Sequence, residues 1–327
     1  MRPLVVVGDV LLDRDLRGRC ERVTPDAGVP VIEDVVEHAR PGGAGLAALL
    51  AAREGREVVF VTALSDDAAA GELRDLLDAE LELAALPWSG PTAQKVRVNA
   101  GDDPLLRIDL GGGTGRVGAV TGAARRAIAT AGALLVADYG RGLTADPVLR
   151  ALVAARAGRV PTVWDPHPRG APPVPGVTLA TPNLAEAELF TGRVQPGNRV
   201  DGSDPAALAR ALRRAWPVDA VAVTLGRHGA LLDGGSMPNV TSPNAGFLFH
   251  SGDPLLIRPA AACDGDPCGA GDQFAAAVTG ALCDGASLPD AVRHAVDAAT
   301  RYVVTGGPAN LRPIYASRAS RNDRGVS

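Results

Sequence analysis

Short apolar runs alternate along the chain with stretches whose apolar residues recur every three or four positions. The runs at 4–7, 58–62, 133–137, 160–164, 177–180, 220–224 and 230–232 are apolar almost throughout, which predicts strands buried on both faces. The stretches 45–53, 69–79, 118–130, 147–157, 184–191, 204–215, 273–283 and 288–304 carry helical spacing. Strands and helices in alternation predict an α/β fold, a mainly parallel sheet between two helical layers. Ligands of such sheets bind beyond the carboxyl ends of the strands.

Two segments break the alternation. Residues 16–38 place Val29, Val31 and Val35 among polar neighbours, and residues 94–109 carry Lys95, Arg97, Asn99, Arg107 and Asp109 around a turn at Gly101. Both predict β-hairpins with a half-exposed face, forming a small sheet that serves as a lid or as a dimer surface. We expect one domain over residues 1–313, with a polar tail over 314–327 that builds no packed structure.

Composition narrows the function. At 327 residues and 46% hydrophobic, the chain can bury a substantial core. A net charge of −4 gives no global attraction to nucleic acid or an anionic membrane. No apolar run approaches the roughly 20 residues of a membrane span. The N-terminal apolar run stops at Gly8-Asp9 and reads as a first strand rather than a leader. The four cysteines show no metal-binding spacing. A cytoplasmic protein with reduced thiols is the expectation. Lys95 is the only lysine among 33 basic residues. It marks either a place where a compact ammonium is needed or a chance survivor on a solvated strand.

The densest chemistry lies in Asp266-Pro267-Cys268-Gly269-Ala270-Gly271-Asp272, which runs into an apolar helix. Gly269 and Gly271 allow bare N–H groups to face an anion, and the helix start adds partial positive charge. Asp272 is placed to take a proton from a hydroxyl that attacks phosphorus. The same residues also suit a glycine turn in which Asp272 caps the helix.

Several ordered segments resemble the ribokinase-like, or PfkB, carbohydrate kinases. They are Gly42-Gly43-Ala44, Asn183-Leu184-Ala185-Glu186, Thr224-Leu225-Gly226 with Gly229, and Gly269-Ala270-Gly271-Asp272. Within that family the chain is most similar to the D-glycero-β-D-manno-heptose 7-phosphate kinases. That similarity is carried by residues 8–14, Arg40-Pro41-Gly42-Gly43-Ala44, Leu105-Leu106-Arg107-Ile108-Asp109, Asp138-Tyr139-Gly140-Arg141-Gly142 and Thr181-Pro182-Asn183. The resemblance spans roughly residues 4–310. It implies a ribokinase-like three-layer α/β/α domain with a small β-lid. It also implies ATP and magnesium, with a monovalent cation in some members, and a homodimer through the lid.

The resemblance also assigns roles. Asp272 would be the base, with Gly269, Ala270 and Gly271 holding the transferring phosphoryl group. Asp13, Gly42, Gly43 and Asp138 would meet the sugar. Arg14, Lys95, Arg97 and Arg107 would meet a phosphate it already carries. Glu186 would hold magnesium through water. Asn183, Thr224, Gly226 and Gly229 would support the nucleotide, with adenine against Ala295, Ala298 and Ala299.

Departures are visible as well. Leu46 stands where the family places an asparagine near the sugar, and His167 follows Asp165-Pro166 where the heptose branch has lysine. Residues 236–258 form a longer stretch than in the family. Bifunctional relatives carry a nucleotidyltransferase domain after the kinase; none is expected within these 327 residues, where no His-x-Gly-His occurs. The acceptor is therefore the heptose phosphate or another ribose- or hexose-type sugar. A sugar-phosphate-binding protein with weakened catalysis is the reading from another class. A dinucleotide-binding enzyme is disfavoured, since no Gly-x-Gly-x-x-Gly follows the first strand.

Overall fold

The computed structural model describes residues 2–101, 103–112, 115–194, 204–234, 253–260 and 265–311. The tail and most of the 236–258 stretch lie outside the described residues.

Nine strands form one sheet, in the order β13 (Leu255–Ile257), β12 (Ala230–Asp233), β11 (Val218–Thr224), β10 (Val177–Ala180), β9 (Thr162–Asp165), β8 (Ala133–Ala137), β1 (Leu4–Gly8), β4 (Val58–Leu64) and β5 (Glu82–Pro87). All neighbours are parallel except β11–β12 and β12–β13. The parallel strands are apolar because helices cover both faces. One face buries α1 (Ala44–Arg53), α2 (Ala68–Asp78), α7 (Ala270–Cys283) and α8 (Leu288–Val304) around Val6, Phe60 and Phe274. The other face buries α3 (Gly122–Thr130) and α4 (Pro147–Ala157) around Leu134 and Trp164. Beside them lie α5 (Leu184–Val194) and α6 (Pro205–Ala215), around Phe190 and Trp216. This is the expected three-layer α/β/α arrangement. No helix among the described residues is long and apolar enough to cross a membrane.

Caps fix several helix starts. The side chains of Asp67, Thr121, Asp146 and Ser287 each accept a backbone N–H in the first turn of α2, α3, α4 and α8. Two expectations need correction. Helix α3 begins at Gly122 because Thr121 caps it, not at 118. Strand β5 was not foreseen, since only Ala84 and Leu86 of its six residues are buried and its apolar content is that of an edge.

The second sheet has four strands, in the order β3 (Pro30–Gly43), β2 (Val10–Val23), β6 (Gln94–Ala100) and β7 (Asp103–Leu110). The two expected hairpins are thus joined, with β2 and β6 running parallel. Strand periodicity separates its faces. Arg40, Asp13, Lys95 and Asp109 fall opposite one another in one row. Asp15, Arg97 and Arg107 form the next row of the same face. The other face carries Arg14, Val96 and Ile108.

The chain leaves β1 toward β4 and β5 on one side and builds β8 to β13 on the other. The β1/β8 border is therefore the point where strand order reverses, and a binding crevice is expected beyond its carboxyl end.

Candidate active site

The β1/β8 border opens on Asp9, which is buried. Its carboxylate accepts N–H groups from Tyr139, Arg141 and Leu143 at 3.2, 3.1 and 3.1 Å. These bonds shape the loop after β8 and aim Tyr139 across the crevice. Burial still pushes the Asp9 carboxyl above its usual range.

Helix α7 starts at Ala270, with Gly269 as its N-cap residue in the left-handed region at φ 80°. A side chain at Gly269 would also meet Leu46 and the Tyr302 hydroxyl, each at 2.7 Å from the added carbon. Only glycine fits there. Asp272 therefore lies in the first turn of the helix and not at its cap, so the capping reading does not hold. Gly271 and Asp272 present N–H groups without intrahelical acceptors.

Asp272 is 7% exposed, and the Tyr139 hydroxyl donates to its Oδ1 at 2.6 Å. Burial raises its pKa to about 7; the Tyr139 bond opposes the rise. A carboxyl balanced near neutral pH both takes and returns a proton readily. Tyr139 itself is held far on the neutral side by burial and by the Asp272 charge.

On the lid side, Gly42 brings bare backbone against Asp13, and Gly43 lies against the Asp9 carbonyl and the Tyr139 ring. A carbon added at Gly42 would stand 2.8 Å from the Asp13 carboxylate. Asp13 is buried, with Arg40 at 3.4 Å and Arg97 at 3.5 Å. Arg40 also pairs with Asp15, and Arg97 reaches Asp15 and the Cys268 sulfur, each at 3.5 Å. Arg97 thus ties the lid to the loop before α7. Cys268 packs in that loop, where burial pushes its thiol pKa up. Lys95 lies with its Nζ 5.8 Å from the centre of the Tyr139 ring. Burial lowers its pKa, partly offset by Asp13.

Other expected contacts are elsewhere. Arg14 lies on the opposite face of the lid, bound to Glu37, Glu72 and Gln94. Arg107 is exposed and paired with Asp109 at 2.8 Å. Asp138 is buried in its own loop, accepting from Thr144, Gly140 and Ala171. Leu46, 2% exposed, packs into the core beneath Gly269 and presents no polar group to a ligand.

Across α7 from the lid is a cavity of about 420 Å³, bordered by Thr224, Gly226, Gly229, Gly271, Val296 and Ala299. Its mouth meets the start of α7. Ala299 faces it, but Ala295 and Ala298, at 0% and 5% exposure, point into the core with Ala291 and Val292. The helix presents its 296–299–300–303 side instead.

Asn183 and Glu186 bond reciprocally at the start of α5, each side chain accepting the other's N–H at 2.9 and 3.0 Å. Near them Asp165 accepts the Thr181 hydroxyl at 2.9 Å. Burial drives the Asp165 carboxyl well up, with added repulsion from Glu186 and Asp272. Burial raises Glu186 too. Asp165 and Tyr139 were not singled out for a role by sequence. Their place depends on strand adjacency that no local motif encodes.

The sequence pattern of the pfkB family of carbohydrate kinases matches residues 1–314. The bifunctional protein HldE of Streptomyces coelicolor is 50% identical over 319 residues, covering 97% of this chain and 63% of that protein. HldE of Pseudomonas aeruginosa PAO1 is 33% identical, over 99% of this chain and 64% of its own length. The chain thus spans under two thirds of these relatives. Among solved structures, Arabidopsis thaliana ribokinase complexed with ribose and ATP superposes with a TM-score of 0.63 at 21% identity, over 94% of each chain. Phosphofructokinase-2 from Escherichia coli, in complex with substrates and products, gives 0.62 at 18% identity, over 93% of this chain and 94% of its own. The fold and the sequence match together make this chain a member of the pfkB family of carbohydrate kinases, an ATP-dependent sugar kinase.

Proposed function

We propose that the chain transfers the γ-phosphoryl group of ATP to the anomeric hydroxyl of D-glycero-β-D-manno-heptose 7-phosphate, giving ADP and the 1,7-bisphosphate. The observation that carries phosphoryl transfer is Asp272, held by Tyr139 at 2.6 Å between the cavity and the lid face. The heptose acceptor is supported by the likeness of the lid and strand-end segments to that branch and by the HldE relatives.

In this reading, ATP occupies the 420 Å³ cavity with its phosphates toward the start of α7. The acceptor lies between Asp13, the Gly42-Gly43 backbone and Asp272. The hydroxyl oxygen bonds to the γ-phosphorus as the bond to the ADP oxygen breaks. The hydroxyl proton passes to Asp272 late in that displacement. The N–H groups of Gly271 and Asp272 face the phosphoryl oxygens, whose charge peaks in the transition state. Tyr139 keeps the Asp272 carboxylate aimed.

Magnesium fits the carboxylates. Asp165, Glu186 and Asp272 stand close enough for the other two to raise the pKa of Asp165, an imbalance that a cation relieves. No group of three side chains among the described residues forms a ready metal cage. Asp165 and Glu186 would therefore hold the ion through its waters. When bound, magnesium draws charge from the phosphate oxygens. A homodimer through the outer lid face is part of the proposal, supported by exposed Leu106, Ile108 and Leu110.

Leu46 favours a second reading, a different acceptor sugar, because an apolar core residue stands where a polar sugar contact would be. The test is ADP release with Mg-ATP against heptose 7-phosphate, fructose 6-phosphate, ribose and fructose. Turnover confined to heptose 7-phosphate supports the first reading, and turnover confined to another sugar supports the second.

A further inference from the structure

The loop that opens α7 rests against a hydroxyl with nothing to bond. Tyr302, near the end of α8, is 8% exposed, and its Oη is buried without a hydrogen-bond partner among the described residues. Buried hydroxyls are nearly always bonded, and an unbonded one costs about 1–3 kcal/mol. A carbon added at Gly269 would stand 2.7 Å from both Tyr302 Oη and Leu46 Cδ2, so ring tip, leucine methyl and glycine backbone meet there. Leu46 offers no acceptor, whereas a polar side chain at 46 would compete for the hydroxyl. The carboxylates around it are engaged. Asp272 accepts from Tyr139, Asp266 accepts the Cys268 N–H, and Asp13 pairs with Arg40 and Arg97. Burial raises the Tyr302 pKa, which keeps the phenol protonated and a donor.

An acceptor beside it is free. The Pro267 carbonyl accepts the Ala270 N–H, and the Gly269 carbonyl accepts the Gln273 N–H, each at 3.0 Å. The Cys268 carbonyl between them accepts no N–H, and the Gly269 N–H finds no acceptor, among the described residues. These two free groups belong to one peptide. A carbon added at Gly307 would stand 3.7 Å from Tyr302 Cε1 and 3.8 Å from the Cys268 carbonyl oxygen, so Gly307 borders both ring and carbonyl. In a planar trans peptide the C=O and N–H point opposite ways, so whatever holds the carbonyl aims the N–H.

We propose that Tyr302 is a positioning residue for phosphoryl transfer: its hydroxyl donates to the Cys268 carbonyl once the transferring group is bound, and so turns the Gly269 N–H onto that group. Tyr302 lies behind the loop and does not border the 420 Å³ cavity, whereas Pro267, Ala270 and Gly271 do. The N–H turned away from Tyr302 therefore faces the cavity side. The bond is unmade in the free chain, so its free energy appears only with the phosphoryl group in place. It lowers the barrier and leaves substrate binding unchanged. This inference rests on the phosphoryl group lying at the start of α7, as in the proposed function, and not on which sugar accepts it.

The test compares wild type with Tyr302→Phe, which removes the hydroxyl and keeps the ring. Thermal melts of the free proteins come first. Loss of an unbonded buried hydroxyl leaves the melting temperature equal or higher. Steady-state kinetics with heptose 7-phosphate and fructose 6-phosphate follow. On whichever acceptor turns over, we expect kcat to fall about 10-fold, with the KM for ATP and for the acceptor unchanged. Calorimetry with Mg-ADP, with and without aluminium fluoride as a mimic of the transferring group, reads the same effect without an acceptor. ADP affinity stays the same, and the gain from aluminium fluoride shrinks about 10-fold in the variant. Equal kcat, or an equal gain from aluminium fluoride, overturns the inference. A lowered melting temperature with kcat and KM falling together also overturns it, since the hydroxyl then serves the fold. The same kcat loss on fructose 6-phosphate alone retains Tyr302 and overturns the heptose reading.

Discussion

The Tyr139 hydroxyl donates a 2.6 Å hydrogen bond to the Asp272 carboxylate across 133 residues of sequence. It links the loop at the sheet's strand-order reversal to the first turn of α7, and it stabilises the charged form of Asp272, the proposed base. Tyr139→Phe removes that stabilisation. The pKa of Asp272 then rises further, and the acidic limb of the rate profile moves to higher pH. We expect kcat to fall about 10-fold at pH 7 and much less at pH 9. A uniform loss at every pH would point to a purely structural role.

Asp272 also links activity to stability. Its folded pKa of about 7 lies above the ordinary carboxyl value of 3.8, so the unfolded chain holds the charge more readily. Stability from this group is complete below the unfolded value and is lost as pH rises through about 7. In the proposed mechanism transfer needs the carboxylate, so activity should rise over the same interval. Asp272→Asn removes both effects. Its kcat should fall about 10²–10⁴-fold, and its melting temperature should exceed that of wild type by more at pH 8 than at pH 5. Thermal melts at the two pH values check this.

Gly269→Ala places a side chain at φ 80° and against Leu46 and Tyr302. The strain is about 1–2 kcal/mol. It falls on the loop that presents the α7 N–H groups. Gly42→Ala instead crowds Asp13. The first variant should lose kcat and stability together, and the second should chiefly raise the acceptor KM. Kinetics and denaturant melts separate them.

Ala295 and Ala299 lie one turn apart on α8, and only Ala299 borders the cavity while Ala295 is wholly buried. Ala299→Leu should raise the KM for ATP with little change in stability. Ala295→Leu should overpack the core and cost about 1–3 kcal/mol with ATP binding intact in the folded fraction.

The layered fold was legible because strands such as Val5–Val7 are buried on both faces and therefore apolar without interruption. Edge strands carry less of that signal, which is why β5 and the three-residue β13 escaped. The glycine turn that opens α7 was legible because its left-handed N-cap position requires glycine, and Asp272 follows it in the first turn. Tyr139 and Asp165 were not, since their roles arise only when β8 and β9 deliver them beside α7. Helical periodicity grouped Ala295, Ala298 and Ala299 but not which of them would meet the cavity. Arg14 shares a motif with Asp13, yet strand alternation turns it to the other face.

The central claim is tested most directly by phosphorus NMR of the product formed from heptose 7-phosphate and Mg-ATP, with wild type and Asp272→Asn. The account predicts a second phosphate on the anomeric carbon, formed by wild type and nearly absent with the variant. A new phosphate on any other carbon, or equal product from Asp272→Asn, would contradict it.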